Sequence, residues 1–241
     1  MSLSKNDLKK FSSLKRKTKR KELGAFVVEG VKNCKELIKS NFQIISILIT
    51  EKKLLSEFPN GILISENDAS RITQLKSHSS VIAIAKIPKN SISSPSNKPI
   101  LFLDDIRDPG NLGTIIRTLD WFGYSQLFCS LDCVDAFNSK TVMASMGSIF
   151  RLKIHYLNFL ELAKKFPDFI KYGTFLNGES IYKSNIENQS IIVMGNESIG
   201  ISKELETIIN KKIYIPGNGG AESLNVSTAT AIILNEINKT D

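Results

Sequence analysis

The alternation of short, continuously apolar segments with helical segments over residues 99–241 constrains the fold of this chain more than any other feature. Runs such as ILFL at Ile100 to Leu103 and IIVM at Ile191 to Met194 predict buried strands. Because helical segments separate these runs, we expect a parallel β-sheet covered by helices on both faces. Ligands of such sheets bind beyond the carboxyl ends of the strands.

The expected elements of this region follow from the apolar pattern. Strands are predicted near residues 100–105, 126–129, 152–155, 173–176, 191–194 and 212–215, and helices near 111–122, 140–149 and 225–237. The overall expectation is an α/β fold.

A separate α/β pattern precedes this region and predicts a small first domain over residues 1–90. Its expected elements are a basic helix over 5–21, helices near 31–39 and 65–75, and strands near 26–28, 44–49, 62–64 and 81–87. Residues 88–99, PKNSISSPSNKP, are rich in Pro, Ser and Asn. We therefore predict an interdomain linker at 91–98 and a second domain over 99–241.

Positive charge is concentrated at the N-terminus. The formal net charge is +8, and residues 1–21 hold nine Lys and Arg against one acid, Asp7, which accounts for all of it. Such a block is typical of contact with a polyanion, and nucleic acid is the leading candidate partner. A solvated basic tail and a nuclear localisation tract are the alternatives. The candidate contacts are Lys15, Arg16, Lys17, Lys19, Arg20 and Lys21.

Cysteine content and hydropathy limit the location of the protein. Three cysteines, an odd number, make a disulfide framework improbable and indicate a reducing compartment, so we expect a cytoplasmic protein. The longest apolar run, IISILI at Ile44 to Ile49, is too short to span a bilayer, which excludes a membrane protein. With only two histidines, His78 and His155, no metal site is expected.

Three loops carry the polar residues that follow predicted strands. The first, DPGNLG at 108–113, precedes a helix in which Arg117 is the one basic residue between Arg107 and Lys140. The second, GNESIG at 195–200, follows the strand IIVM, and the third, PGNGGAESLN at 216–225, leads into the last helix. Glycine and proline force the backbone to turn in each loop, which lets a ligand approach it closely.

Each of these features also has a structural interpretation. Arg117 could form a surface salt bridge instead of binding a phosphate, and Asn111 could cap a helix instead of reaching a ligand. The second loop could be a simple turn with Ser202 as a helix cap. Motifs for dinucleotides, for nucleoside triphosphates and for a nucleophilic serine are missing from the sequence.

Taken in order, the segments DPGNLGTIIRT, IVMGNESIGIS and IPGNGGAESLNVSTATAIILNEI resemble the three motifs of the SpoU (TrmH-like) RNA ribose 2′-O-methyltransferases of the SPOUT superfamily. The segment KRKTKRKELGAFVVEGVKNCKELI, with TQLKSHSSVIAIAKIP, is similar to the ribosomal-protein-L30e-like RNA-binding domain attached to many of these enzymes. This resemblance covers nearly the whole chain. It implies a C-terminal SPOUT domain with a deep trefoil knot, preceded by a small L30e-like domain, and a homodimer.

The resemblance also implies the cofactor and the reaction. S-adenosylmethionine would donate a methyl group to a ribose 2′-hydroxyl of RNA, with ribosomal RNA favoured over transfer RNA, and without a metal. The residues that match the cofactor-contacting positions are Leu176, Asn177, Gly178, Gly195, Asn196, Ile215, Pro216, Ser223 and Leu224. The GNGGA segment at 217–221 is richer in glycine than is usual in relatives, and His78 and Ser79 stand where relatives often have Pro-Gly.

Arg117 matches the family arginine that binds the target phosphate and assists deprotonation of the hydroxyl. Asn111, Glu197, Ser223 and Asn225 match further motif positions, and we expect them to order the loops and orient the hydroxyl, with Ser223 and Asn225 nearest the reaction. A non-catalytic RNA-binding or ribosome-assembly protein of the same fold is the rival hypothesis. Retention of all five polar residues argues against it, and the basic arm argues against a small-molecule methyltransferase.

Overall fold

The computed structural model of the chain describes residues 3–75, 79–93 and 97–239. The chain divides into two compact units, one of residues 1–89 and 135–151, the other of residues 90–134 and 152–241. His78 and the middle of the predicted linker lie outside the described residues.

The helices are α1 Lys5–Ser13, α2 Lys17–Leu23, α3 Val31–Ile38, α4 Glu66–Ile72, α5 Pro109–Trp121, α6 Ser139–Ala144, α7 Phe159–Lys165, α8 Lys203–Glu206 and α9 Val226–Ile237. The strands are β1 Ala25–Glu29, β2 Ile44–Ile49, β3 Ile62–Leu63, β4 Val81–Lys86, β5 Ile100–Leu103, β6 Gln126–Cys129, β7 Lys153–Tyr156, β8 Ile170–Ser180, β9 Ser190–Met194 and β10 Lys211–Tyr214.

The first unit is built on a four-stranded sheet in the order β1-β4-β2-β3. β4 pairs antiparallel with both β1 and β2, and β3 pairs parallel with β2. Apolar side chains of α1, Leu8 and Phe11, are buried in one core with Leu48 and Ile82 of the sheet. Burial of this apolar surface fixes the N-terminal helix to the sheet.

The predicted single basic helix over 5–21 is two helices, because the chain turns between α1 and α2 at residues 14–16. Leu14 at this turn is 1% exposed and packs into the core of the unit. Arg16, Lys17 and Lys21 are exposed beyond the turn.

Arg20 differs from the other basic residues of this segment. Only 3% of it is exposed, and its Nε and Nη2 donate hydrogen bonds to Oδ2 of Asp135 at 2.8 and 2.6 Å. Its Nη1 donates to the carbonyl oxygens of Leu14 and Lys15. The prediction that Arg20 contacts RNA phosphates is therefore wrong, since its guanidinium is already occupied inside the unit.

Residues 135–151 belong to the first unit, although the sequence places them within the predicted second domain, 99–241. The ring of Phe137 lies 4.7 Å from that of Phe26, and the ring of Phe150 lies 5.4 Å from that of Phe42, between centroids. These aromatic contacts, which depend on residues about 110 positions apart, could not be read from the local apolar pattern. The first unit is therefore not the continuous segment 1–90. The chain passes between the two units three times, after residues 89, 134 and 151.

This segment also corrects the predicted helix over 140–149. Helix α6 ends at Ala144, and a short 3₁₀ turn follows over Ser148–Phe150. Between them Met146 and Gly147 have φ angles of 51° and 93°, a left-handed conformation that stops a right-handed helix.

The second unit contains a six-stranded sheet in the order β10-β8-β9-β5-β6-β7. Every neighbouring pair of strands is parallel, which confirms the predicted parallel sheet and α/β class. Phe102, Ile191 and Val193 of the central strands are fully buried, as their continuous apolar runs predict. The deep trefoil knot that the resemblance implies stays a prediction.

The segment predicted as a linker is attached to the second unit. The backbone N–H of Ser93 donates to Oε1 of Gln126 at 3.0 Å, and Nε2 of Gln126 donates back to the Ser93 carbonyl at 3.3 Å. Ile92 packs against the apolar core of this unit. Ile92 and Ser93 of the predicted linker are thus bound to the second unit, and the role of 91–98 as an interdomain linker stays a prediction.

Across the described residues, no helix has the length and apolar character needed to cross a membrane. Within the same residues, no group of three or more His, Cys, Asp or Glu is placed to hold a metal ion.

The buried Arg20–Asp135 pair generates a stability prediction. Replacing Arg20 by Ala would leave the Asp135 carboxylate, 15% exposed, without its counter-ion. We expect the free energy of unfolding to fall by about 3 kcal/mol, measured by urea denaturation of the full chain. The control is Arg16→Ala, at an exposed position four residues earlier. This variant should change the free energy of unfolding by less than about 0.5 kcal/mol. Equal losses in the two variants would contradict a structural role for the pair.

Candidate active site

The three predicted loops emerge at one edge of the parallel sheet. The first follows β5 and the second follows β9, its neighbour in the sheet. The third follows β10, which pairs with β8, the other neighbour of β9. Because the strands are parallel, their carboxyl ends meet at the same edge, where the sequence predicted a ligand site.

Asp108, and not Asn111, caps the helix that follows the first loop. Its Oδ1 accepts a hydrogen bond from the Asn111 N–H at 2.8 Å, and Pro109 occupies the first turn, where a missing N–H leaves no partner unsatisfied. The prediction left two roles open for Asn111, as a cap or as a residue that reaches a ligand. Since the cap is provided by Asp108, the Asn111 side chain is free to make other contacts.

The Asn111 amide joins all three loops. Its Nδ2 donates to Oε1 of Glu197 in the second loop at 2.5 Å, and its Oδ1 accepts from Nδ2 of Asn225 in the third loop at 2.9 Å. Oδ1 of Asn225 accepts from the N–H and hydroxyl of Ser227, and so caps α9. Three of the five predicted catalytic residues thus form one hydrogen-bonded chain, which we call the amide bridge (Glu197, Asn111, Asn225).

Arg117 projects from the same helix as Asn111, and it is exposed. Among the described residues it has no ion pair or hydrogen-bond partner, so the alternative of a surface salt bridge finds no support there. Ser223, the fifth predicted catalytic residue, lies in the exposed part of the third loop, two residues before Asn225. Neither side chain belongs to the amide bridge, which leaves both available for a ligand.

The second loop is a tight turn that only glycine permits at its start. A Cβ on Gly195 would lie 2.4 Å from the carbonyl carbon of Gly200, far inside van der Waals contact. The backbones of Asn196 and Gly200 exchange two hydrogen bonds of 2.9 Å, and the Asn196 Oδ1 accepts from the N–H of Ser198. The side chain and the backbone N–H of Asn196 therefore both shape the loop.

Two aspartates that sequence reasoning missed hold this loop to the end of β5. Oδ2 of the buried Asp104 accepts the Ser202 N–H at 2.8 Å, and the Asp105 carbonyl accepts Nδ2 of Asn196 at 2.7 Å. Asp105 has a φ of 55°, which is rare for a residue other than glycine. The signal that could have found them is a pair of acids directly after an apolar strand.

The predicted strand at 173–176 is part of a longer strand with a large bulge. Gly173 pairs with Lys212 and Glu179 pairs with Ile213, so residues 174–178 loop out between these two pairs. Gly178 has a φ of 131°, and a Cβ there would lie 2.5 Å from the Lys212 carbonyl oxygen. The bulge carries Leu176, Asn177 and Gly178 at the same edge as the other loops, and all three are exposed.

The remaining predicted cofactor positions flank this bulge. Ile215 and Pro216 directly follow β10 and are half-buried, whereas the glycine-rich segment after them is exposed. Leu176, Ile199 and Leu224 are large apolar side chains that are exposed to solvent on three different loops. Exposed apolar side chains beside turns of open backbone are typical of a site for a flat, partly apolar ligand.

The remaining basic residues of the N-terminal segment are at the surface of the first unit. Lys15, Arg16, Lys17 and Lys21 are exposed, and Lys19 pairs with Glu22 at 2.6 Å on the surface. Of the six predicted RNA contacts, only Arg20 is withdrawn into the interior.

His155 and the three cysteines are buried side chains. Burial lowers the pKa of His155, whose ring stacks on Phe128 with centroids 4.9 Å apart. The three cysteines are buried free thiols, and burial raises the pKa of Cys34 to about 12. Such a thiol stays protonated at neutral pH, so it is not a nucleophile.

Comparison with known families agrees with this geometry. Residues 98–235 match the SpoU rRNA Methylase family, and residues 5–95 match the MRM3-like substrate binding domain. The first match covers more than half of the chain and includes all three loops. The chain therefore belongs to the SpoU rRNA methylase family.

Similar proteins match along nearly the whole chain. The 23S rRNA (guanosine(2553)-2'-O)-methyltransferase RlmP of Bacillus subtilis is 30% identical over 94% of both chains. A structure of a TrmH-family protein from Porphyromonas gingivalis superposes with a TM-score of 0.87 at 32% identity, over 98% of both chains. An AdoMet-bound rRNA methyltransferase from Sinorhizobium meliloti superposes with a TM-score of 0.85 at 28% identity, over 98% of this chain and 95% of that one.

Proposed function

We propose that the protein transfers a methyl group from S-adenosylmethionine to the 2′-hydroxyl of a ribose in ribosomal RNA. The observation that carries this proposal is the amide bridge, which fixes three family motifs at one edge of the sheet and leaves Arg117 exposed beside it. Membership of the SpoU rRNA methylase family supports the same reaction.

The residues at this edge fit S-adenosylmethionine. The cofactor has a flat adenine, a polar ribose and an amino-acid end, so it needs apolar walls together with open backbone N–H and C=O groups. Leu176 and Leu224 offer exposed apolar surface. Open backbone is offered by the segment after Ile215, where a Cβ on Gly217, Gly219 or Gly220 would meet no atom within 4 Å. The residues proposed to hold the cofactor are Leu176, Asn177, Gly178, Gly195, Asn196, Ile215, Pro216, Ser223 and Leu224.

The bound cofactor supplies a methyl group on a positively charged sulfur. The protein must then position the ribose and manage the proton of its 2′-hydroxyl, which is a poor nucleophile while it keeps that proton. We assign Arg117 to the RNA phosphate and to the negative charge that develops on the 2′-oxygen. Its N–H donors stabilise this charge, while the proton of the 2′-hydroxyl passes to water.

Ser223 and Asn225 orient the hydroxyl in this proposal. The Asn225 amide is itself held by Asn111, and Asn111 is held by Glu197. Glu197 and Asn111 thus act as positioning residues that limit the motion of the third loop. Preorganised polar groups of this kind lower the barrier because they need no rearrangement when charge develops.

Ribosomal RNA is favoured over transfer RNA because the Bacillus subtilis 23S rRNA enzyme matches along both units of this chain, including the first. A match limited to the second unit would carry no information on the substrate-binding part. Transfer RNA is the alternative substrate. We also propose a cytoplasmic location, supported by three free cysteines, and a reaction that needs no metal.

A homodimer and the trefoil knot are further parts of the proposal. Trp121, the one tryptophan of the chain, ends α5 with 85% of its surface exposed. A second copy covering this residue would explain it. Sedimentation equilibrium should give twice the chain mass of 26.8 kDa, and Trp121→Lys should shift the equilibrium toward the monomer. A wild-type monomer at all concentrations would contradict the dimer.

The reaction is tested with radiolabelled S-adenosylmethionine and a 23S rRNA transcript, which carries no methyl groups. We expect label in the RNA with the wild-type protein, and at least about 100-fold less with Arg117→Ala, since loss of one charge-stabilising donor lowers the rate by about that factor. Cofactor binding, measured by calorimetry, should change less than about threefold in this variant.

Two further variants separate charge from geometry. Arg117→Lys keeps the charge but loses the forked donors, and should recover only part of the rate. Lys164→Gln, at an exposed position of α7, removes one positive charge elsewhere and should be fully active. Loss of cofactor binding in Arg117→Ala would contradict its assigned role. Cofactor binding without transfer to ribosomal or transfer RNA would favour the assembly-factor hypothesis.

The exposed basic residues of α2 and the preceding turn form a proposed RNA-binding surface. Replacing Lys15, Arg16, Lys17 and Lys21 together by Gln should weaken binding to every RNA sequence. The slope of log affinity against log salt should fall by about 0.7–0.9 for each phosphate that the variant no longer neutralises, measured by filter binding. An unchanged slope would mean that these residues do not bind RNA.

A further inference from the structure

The polypeptide around the first loop is markedly acidic for a surface that meets RNA. Between Lys98 and Lys140 the sequence contains two cations, Arg107 and Arg117, and six aspartates, of which Asp104 is buried and Asp135 is paired with Arg20 in the first unit. Because phosphates repel carboxylates, an RNA backbone that reaches this loop depends on those two arginines. The family motif provides a role for Arg117 only.

Arg107 is exposed, yet its guanidinium is held in place. Its Nε donates to Oδ1 of Asp105 at 3.0 Å, and its Nη2 lies 2.9 Å from Oδ2 of the same carboxylate. The Arg107 side chain is 75% exposed, whereas that of Asp105 is 14% exposed. A guanidinium has five N–H donors, so three remain for an incoming phosphate after this forked contact.

Asp105 is itself fixed on both sides of its backbone. Its N–H donates to the hydroxyl of Ser130 at 2.9 Å, and its carbonyl accepts Nδ2 of Asn196 at 2.7 Å. Its left-handed backbone, with φ at 55°, is unfavourable for an aspartate and needs such contacts to persist. The carboxylate that holds Arg107 is therefore part of a rigid corner, unlike one on a mobile surface side chain.

This corner lies directly before the first loop of the candidate site. Arg107 precedes Asp108, whose carboxylate caps α5 through the Asn111 N–H. We propose that Arg107 binds a phosphate of the substrate RNA beside the target nucleotide, and that Asp105 is a positioning residue that aims its guanidinium. This inference rests on the proposed function, because it takes the methylated RNA as the ligand.

A surface salt bridge without a ligand is the competing explanation. Such a pair would involve no RNA, so removing Arg107 would then leave RNA binding unchanged. The two explanations differ in salt dependence. A phosphate contact releases counterions from the RNA, whereas an internal ion pair does not.

The test uses the full chain, a 23S rRNA transcript and S-adenosylmethionine. We expect Arg107→Gln to raise the KM for RNA about tenfold, with kcat and the cofactor Kd changed less than about threefold. The slope of log RNA affinity against log salt should fall by about 0.7–0.9. Lys164→Gln, which removes the same charge from α7, should leave KM and slope as in the wild type.

A double-variant cycle tests the positioning role of Asp105. Asparagine tolerates a left-handed backbone, so Asp105→Asn removes the charge without a new backbone strain. We expect this variant to raise the KM for RNA about threefold in the wild-type background and not at all in the Arg107→Gln background. Equal effects in both backgrounds would show that Asp105 does not act through Arg107.

The outcomes separate this inference from the proposed function. If the wild type transfers no methyl group to RNA, the proposed function fails. If the wild type is active and the Arg107→Gln variant has the same KM for RNA and the same salt slope as the wild type, only the role of Arg107 is overturned. A change of the cofactor Kd in Arg107→Gln would also overturn it, since the residue would then act on the cofactor loops.

Discussion

The side-chain amide of Asn111 is the contact on which the candidate site depends. One amide donates to Glu197 and accepts from Asn225, and these residues belong to loops 86 and 114 positions away along the chain. An amide can do both at once because it carries a donor and an acceptor on the same rigid plane. A carboxylate or an ammonium at position 111 could satisfy only one of the two partners.

The constraint behind this contact is the parallel sheet. Parallel strands place all their carboxyl ends at one edge, so loops that are distant in sequence meet there. The bulge in β8 and the left-handed turn at Asp105 then adjust the backbone locally. Regular strands supply the position of the site, and irregular backbone at their ends supplies its shape.

Much of this arrangement could be predicted because it depends on local pattern. The apolar runs identified every strand of the six-stranded sheet, and glycine and proline located the three loops. The features that were missed depend on contacts between distant residues. In the sequence, Arg20 cannot be distinguished from the other residues of the basic segment, because its burial depends on a hydrogen bond to Asp135, 115 positions later. The bulge at 174–178 is likewise set by pairing with β10, which no pattern within β8 reveals.

The first unit is discontinuous, and this limits how it can be separated from the rest of the chain. A fragment that ends at residue 90 would lack Asp135 and Phe137, leaving Arg20 buried without a counter-ion and Phe26 without one of its neighbours. The first unit is thus completed by residues encoded within the methyltransferase sequence. Such a chain cannot exchange its first domain by a simple fusion at the linker, because a new module would have to bring a matching 135–151 segment with it.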